Sequence, residues 1–245
     1  MKKRPLSLMT SLAALAAALV LGVCAPARAD LEIQLSTNGT SYTKVDSKPS
    51  GSVALYGLPS ATFGGITFQV LNTISDSPGG GSSASLMGGA TSVSNLTSKT
   101  QTVYIKLGDT GYTTPKTPPG FIQLVSSVGG AVSVPNKANA LVFQSYIDPA
   151  NGQNSLAGFT PGSQTPGISG TPVQSFNNST LSTISHLATT YSVTEFLKIT
   201  LGARSAFNFS ASTTVSLVPE PSSLAIAGLG MLGMIGYGIR RRRIV

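Results

Sequence analysis

The stretch YSVTEFLKITLGARSAFNFSASTTVSL, residues 191–217, alternates between apolar and polar residues in two halves. Alternation with a period of two is typical of half-buried β-strands. Glu195 interrupts the apolar face of the first half, and we expect it at a sheet edge or a strand end. With 202–205 as its turn, the stretch predicts a long β-hairpin that ends directly at Pro219. The two apolar faces consist of Tyr191, Val193, Leu197, Ile199 and Leu201, and of Phe207, Phe209, Ala211, Val215 and Leu217.

Shorter β patterns precede this hairpin, separated by the Gly, Pro and Asn residues that favour turns. The run 121–128 is nearly continuously apolar, which predicts a central strand buried on both faces, with a turn at 129–130. Residues 180–187 predict the one short helix, capped by Asn178 or Ser179. Further strands are predicted at 31–35, 52–56, 66–70, 103–107, 131–134 and 140–147, with loops at 76–83, 113–120 and 148–178.

These patterns predict an all-β fold of about eight strands, in which two antiparallel sheets pack face to face. We expect a jelly-roll or immunoglobulin-like β-sandwich over residues 30–218, with a closed barrel as the alternative. Val, Ile, Thr, Tyr and Phe are frequent there, and long runs of helix-forming residues are missing. No repeat period is present, which argues against a solenoid or a propeller.

The first 29 residues have the three-part layout of a secretory signal peptide. A basic start at residues 2–4 precedes an apolar stretch at 6–23, and Ala27 and Ala29 form a small-x-small cleavage site before Asp30. A permanent N-terminal anchor is the alternative. Cys24 offers a lipoprotein-like acylation site as a further alternative, although bulky Val23 precedes it.

The last 27 residues form a second targeting segment. Its first part is stiff and extended, because proline fixes its own φ and restricts the residue before it. Residues 222–239 lack charge and predict a transmembrane helix, with a buried core helix as the alternative. Because positive charges stay in the cytoplasm, we expect the chain before this helix to lie outside. The stiff part is Pro219, Glu220 and Pro221, directly after Val218, and the closing basic cluster is Arg240, Arg241, Arg242 and Arg243.

A Pro-Glu-Pro segment, a short apolar helix and a terminal arginine cluster, in this order, resemble the PEP-CTERM sorting signal of Gram-negative bacteria. The resemblance covers only residues 219–245. It implies that an exosortase, a membrane-embedded cysteine transpeptidase, recognises 219–221, removes the tail and passes the body to the outer surface. Carriers of this tail are associated with exopolysaccharide and biofilm matrix. The resemblance therefore implies an adhesion or polysaccharide-associated module that also meets the Sec machinery in transit.

The formal net charge of +8 comes mainly from the two ends of the chain. Residues 30–218 hold eight basic and seven acidic residues, so the body is nearly neutral and gives no indication of nucleic-acid binding. Ser, Thr, Gly, Asn and Gln supply its polarity instead. Cleavage after Ala29 would leave a body without cysteine, which excludes thiol catalysis and thiolate metal sites.

Residues that could support catalysis are sparse. His186 is the only histidine, and a catalytic triad would need Asp109 or Asp148 beside it, while no Gly-x-Ser-x-Gly motif occurs. We therefore expect a non-enzymatic protein, with no cofactor and no metal site. Two alternatives remain open: a secreted hydrolase whose acids converge in the fold, and a single-pass inner-membrane protein with a periplasmic β domain. The loop 148–154 offers oxygen ligands for calcium but lacks the EF-hand pattern.

Overall fold

The computed structural model describes residues 30–57, 59–117, 120–170, 174–187, 189–218, 229–232 and 234. Nearly all of the regular structure in these ranges is strand. The strands are β1 (Asp30–Ser36), β2 (Thr43–Pro49), β3 (Val53–Tyr56), β4 (Ala61–Phe63), β5 (Ile66–Ser75), β6 (Ser83–Asn95), β7 (Gln101–Tyr112), β8 (Phe121–Val134), β9 (Ala140–Asp148), β10 (Ser175–Ile184), β11 (Tyr191–Leu201) and β12 (Ala206–Val218).

The strands form two antiparallel sheets. The five-stranded sheet has the order β2-β1-β7-β11-β9, and the seven-stranded sheet has the order β10-β8-β12-β6-β5-β3, with β4 also paired to β5. Their inner faces carry the alternating apolar residues and form one core, as in the segments Val103–Leu107 and Phe207–Val215. The predicted all-β antiparallel sandwich is thus confirmed, and it contains more strands than the sequence pattern indicated.

The predicted hairpin at 191–217 is wrong, although both of its strands exist. β11 pairs with β7 and β9, whereas β12 pairs with β6 and β8 in the other sheet. The chain crosses between the sheets at 202–205. There the Asn139 side-chain oxygen accepts hydrogen bonds from the Gly202 amide at 3.0 Å and from the Ser205 hydroxyl at 2.7 Å. A short connection with one apolar face on either side fits a hairpin and a sheet crossing equally well, so the sequence pattern did not separate them.

Two local predictions are also corrected. β8 runs through Gly129 and Gly130 without a turn, and only one of its faces is buried. The predicted helix at 180–187 is wrong: residues 180–184 are the end of β10, which pairs along its whole length with β8, and residues 185–187 follow the strand without regular structure. The outward positions of β10 carry Ser175, Asn177, Ser179, Leu181 and Thr183. Asn178 and Ser179 are therefore residues within this strand and cap no helix.

Candidate functional site

Glu195 does not lie at a sheet edge or strand end, as its sequence context suggested. It occupies the middle of β11, between β7 and β9, and its side chain is fully buried between the sheets. The Thr213 hydroxyl donates a hydrogen bond of 3.0 Å to Oε1, whereas Oε2 has no partner among the described residues. Burial raises the pKa of this carboxyl to about 8. Glu195 is therefore protonated at neutral pH and is part of the core.

A chain of buried hydrogen bonds links Glu195 to the long loop after β9. Thr213 lies 2.6 Å from the Ser145 hydroxyl, which lies 2.7 Å from the Ser126 hydroxyl. Gln164 then donates from Nε2 to that hydroxyl at 2.9 Å and to the Ser126 carbonyl at 3.0 Å. The chain crosses the core from one sheet to the other, and it fixes the loop at Gln164.

Asp109 is the second buried acid. Its carboxylate accepts hydrogen bonds from the Ser50 hydroxyl and the Thr110 amide, and burial raises its pKa. Asp109 lies opposite Val193, and Glu195 lies opposite Leu107, so the two acids are diagonal neighbours on β7 and β11. Diagonal neighbours have Cα separations of about 7–8 Å. Both side chains are closed off from solvent, which makes them inaccessible to a dissolved substrate.

The other candidate residues, His186 and Asp148, share no hydrogen bond with this pair in the described part of the chain. His186 is exposed in the segment after β10. Asp148 accepts hydrogen bonds from the amides of Ala150 at 2.9 Å and Gly152 at 3.3 Å, so its carboxylate closes its own loop. Asn151 accepts a bond of 2.8 Å from the Gly111 amide. The described ranges contain no cluster of three or more His, Cys, Asp or Glu residues that could hold a metal ion.

The outer face of the five-stranded sheet carries a cluster that the sequence reasoning missed. Lys106 of β7 lies opposite Phe196 of β11, and Tyr104 lies opposite Lys198. The Tyr104 and Phe196 rings are 6.4 Å apart between centroids, and the Lys198 ammonium lies 5.6 Å from the Tyr104 ring centroid. The Lys106 ammonium lies 4.3 Å from the centroid of Tyr42, the residue before β2. We call these five residues the basic aromatic face.

Polar residues surround the basic aromatic face. Gln34 of β1 lies opposite Lys106, and Gln144 of β9 lies opposite Phe196. One row across four strands therefore contains an amide, an ammonium, an aromatic ring and a second amide, in this order. Glu32, at one end of the face, accepts hydrogen bonds from Lys44 at 2.8 Å and from the side chains of Gln34 and Asn154. The signal available in the sequence was aromatic and lysine residues at the outward positions of two strands.

A groove crosses the outer face of the other sheet. Its volume is about 560 Å³, and its lining includes Gly89 and Gly129. Asn72, Asn208 and Ser210 line its sides. The lining is uncharged, so the two outer faces of the sandwich differ in their chemistry.

The sorting segment follows the sandwich without a linker. Val218 is the last residue of β12 and pairs with Phe121, while the Leu217 amide donates a bond of 2.9 Å to the Ser82 carbonyl. Asp30, the predicted first residue after signal cleavage, begins β1. The remaining predicted sorting and cleavage residues lie outside the described residues: Pro219, Glu220, Pro221, Arg240, Arg241, Arg242, Arg243, Ala27 and Ala29.

The predicted signal peptide (1–29) and most of the predicted transmembrane helix (222–239) also lie outside the described residues. Residues 229–232 and 234 are helical. Within the described ranges, we find no helix with the length and apolar character needed to cross a bilayer.

The chain resembles a number of solved structures remotely. TmCBM61 in complex with beta-1,4-galactotriose is 8% identical with a TM-score of 0.25, over 77% of this chain and 88% of that chain. The K3 cleaved adhesin domain of Lys-gingipain from Porphyromonas gingivalis W83 is 11% identical with a TM-score of 0.29, over 53% and 72%. The enzymatically active domain of bacteriophage CBA120 tailspike protein 4 is 10% identical with a TM-score of 0.28, over 77% and 19%. Scores this low carry no argument about function.

No curated protein matches the chain in sequence. A family model described as the PEP-CTERM protein-sorting motif matches residues 217–243. The match begins with the last two residues of β12 and ends on the last residue of the arginine cluster. A motif of this kind indicates export and sorting to the cell surface. From this match, the tail of this chain is a PEP-CTERM protein-sorting motif, as its residues predicted.

Proposed function

We propose that this chain is an exosortase substrate whose β-sandwich is retained at the cell surface or in the extracellular matrix, where it associates with polysaccharide without catalysing a reaction. The sorting-motif match at 217–243 is the observation that carries the proposal. Because the motif begins within β12, removal of the tail near 219–221 would release the sandwich with all its strands. The transient membrane anchor and the Sec machinery belong to the same proposal.

The polysaccharide part of the proposal is supported by the outer face of the five-stranded sheet. A sugar ring presents C–H groups on its two faces and hydroxyls around its rim. Aromatic rings such as Tyr104 and Phe196 remove the C–H faces from water, and neighbouring amides such as Gln144 bond to hydroxyls. Rings and amides share one row or adjacent rows on this face.

The non-catalytic part is supported by the placement of the ionisable groups. Hydrolysis of a glycosidic bond by the common mechanism needs two carboxyl groups that flank a substrate in a cleft. Glu195 and Asp109 are neighbours, but neither has exposed surface. His186 is exposed, and no hydrogen bond in the described part of the chain joins it to either acid.

Mass spectrometry of the C-terminus tests the sorting part. In cells that produce the chain and its exosortase, we expect the mature surface pool to lack peptides from residues 236–245. A chain with Pro219→Ala, Glu220→Ala and Pro221→Ala should keep those peptides, while a control chain with Thr214→Ala, four residues before Val218 on β12, should be processed normally. A mature wild-type pool that keeps the tail would refute processing and favour the single-pass membrane alternative.

Cosedimentation tests the polysaccharide part. Extracellular matrix from the producing cells, freed of protein by protease digestion, is mixed with the purified released body. We expect the body to sediment with this polysaccharide and to leave its chain length unchanged in size-exclusion chromatography. A body that stays in the supernatant would refute the association, and shortened polysaccharide would favour the hydrolase alternative.

A further inference from the structure

We propose that the basic aromatic face is a binding site for acidic polysaccharide, in which the rings of Tyr104 and Phe196 pack on sugar faces and the ammoniums of Lys106 and Lys198 pair with sugar carboxylates. The inference rests on the proposed function, because it assigns the site and the charge of the polysaccharide. It separates this sandwich from one that binds neutral glycans.

The four central residues form a two-by-two arrangement. Lys106 and Phe196 occupy one cross-strand pair, and Tyr104 and Lys198 occupy the pair two residues along. Each ring therefore has an ammonium beside it on the neighbouring strand and another along its own strand. Lys106 and Lys198 are diagonal neighbours, so their Cα atoms are about 7–8 Å apart. A polymer with repeated carboxylates can contact both lysines while its rings lie on half-buried Phe196 and on the part of the Tyr104 ring that Gly39 leaves uncovered.

The positive charge of the face is not compensated by nearby acids. The described part of the chain contains ion pairs of Lys44 with Glu32 and of Lys48 with Asp46, and neither Lys106 nor Lys198 takes part in one. Both ammoniums instead lie over aromatic rings. Partial burial lowers the pKa of Lys106, which is the direction expected for a cation without a counter-charge. An anionic ligand would supply that charge.

Asp30 and Glu32 share this outer face of β1 with Gln34. Asp30 lies four residues, about 13 Å, along the strand from Gln34, and Glu32, the nearer acid, does not repel such a ligand. Its carboxylate is buried and accepts hydrogen bonds from Lys44, Gln34 and Asn154. Lys44 therefore balances Glu32, and the face keeps the charge of Lys106 and Lys198.

A nucleic acid is the other polyanion that could use rings and lysines. Tight binding of nucleic acid needs many phosphate contacts, each adding to the salt dependence. This face offers two unpaired lysines and no arginine, and the body has about one net positive charge. A sparse charge with flanking amides fits a carboxylated sugar polymer better than a phosphate backbone.

Binding to a matched pair of polymers tests the inference. The released body is titrated with polygalacturonate and with its fully methyl-esterified form, which has the same backbone and no charge. We expect the wild type to bind the acid form at least about tenfold more tightly, and to lose about tenfold in affinity between low and high salt. Lys198→Gln should weaken binding to the acid form about fivefold, which corresponds to roughly 1 kcal/mol.

Phe196→Leu should weaken binding to both forms, because it removes the ring and keeps an apolar side chain. Lys137→Gln, in the exposed loop before β9, is the matched control and should bind like the wild type. Equal affinity for the two polymers, or unchanged binding by both face variants, would overturn the assignment. So would a preference for single-stranded nucleic acid over the acid polymer. If one of these overturning results is found while the wild-type body still sediments with the native matrix polysaccharide, the proposed function stands and only this site is wrong.

Discussion

Glu195→Gln should remove a pH dependence from the stability of the sandwich. The carboxyl has a pKa of about 8 in the fold, against an ordinary value of 4.5. Between these values the folded state holds a proton that the unfolded state has released, so stability falls as pH rises. Below pH 4.5 the contribution is fully present, and it is lost as pH rises through about 8.

The magnitude follows from the size of the shift. One pH unit in this window corresponds to about 1.4 kcal/mol, so the whole window from 4.5 to 8 corresponds to a loss on the order of 5 kcal/mol. Domains of this size are stable by about 5–15 kcal/mol, so the effect is a large share of the total. The glutamine side chain of the variant would mimic the protonated acid, because its amide oxygen can still accept the bond from Thr213.

Urea denaturation of residues 30–218, which contain every described core residue, measures the effect at several pH values. The free energy of unfolding of the variant minus that of the wild type should rise by about 1.4 kcal/mol per pH unit in the window and level off above it. Taking the difference cancels the parallel contribution of Asp109, whose pKa is also raised by burial. A difference that stays constant from pH 4.5 to pH 8 would refute the reasoning.

Three further outcomes are expected from the packing of the core. Gly88→Ala should lower the free energy of unfolding by about 1–3 kcal/mol, because its new methyl group would overlap Leu107 and approach Glu195 Oε2. Gly167→Ala has open space around it and should be near neutral in the same urea titration. Gln164→Ala should speed cleavage of the loop 149–170 in limited proteolysis, since the chain loses both bonds to Ser126; equal cleavage rates would contradict that anchoring role. Phe207→Ala should cost about 3–5 kcal/mol and Phe121→Ala, at 55% exposure, less than about 1 kcal/mol, so similar denaturation midpoints would show that the core is misplaced.

The sequence predicted which residues face the core but not which strands pair. The inward positions of β11, from Tyr191 to Leu201, follow the predicted alternation, and even Glu195 keeps its place in it. Pairing depends on contacts between residues far apart in sequence, such as Glu195 with Leu107 and Ser145. A local pattern carries no such information, which is why a sheet crossing was predicted as a hairpin.

Prediction of the candidate sites was uneven for a similar reason. The sorting motif is a linear sequence of residues and was recognised from the tail alone. The basic aromatic face combines β7 with β11 and residue Tyr42, which are brought together by the fold. Its lysines and rings looked like ordinary outward residues of separate strands. Glu195 was misplaced because an acid within an apolar face suggests an edge, while its hydroxyl partners lie on distant strands.

The position of β12 would have a mechanical consequence if the processed body were attached to the surface through its new C-terminus. β12 lies between β8 and β6 and hydrogen-bonds to both along nearly its whole length. Ladder bonds run perpendicular to the strands, so tension applied at Val218 along the strand would load them together, in shear. A strand at the sheet border would instead peel away one bond at a time. A surface protein exposed to flow would therefore resist extraction best through such an interior strand.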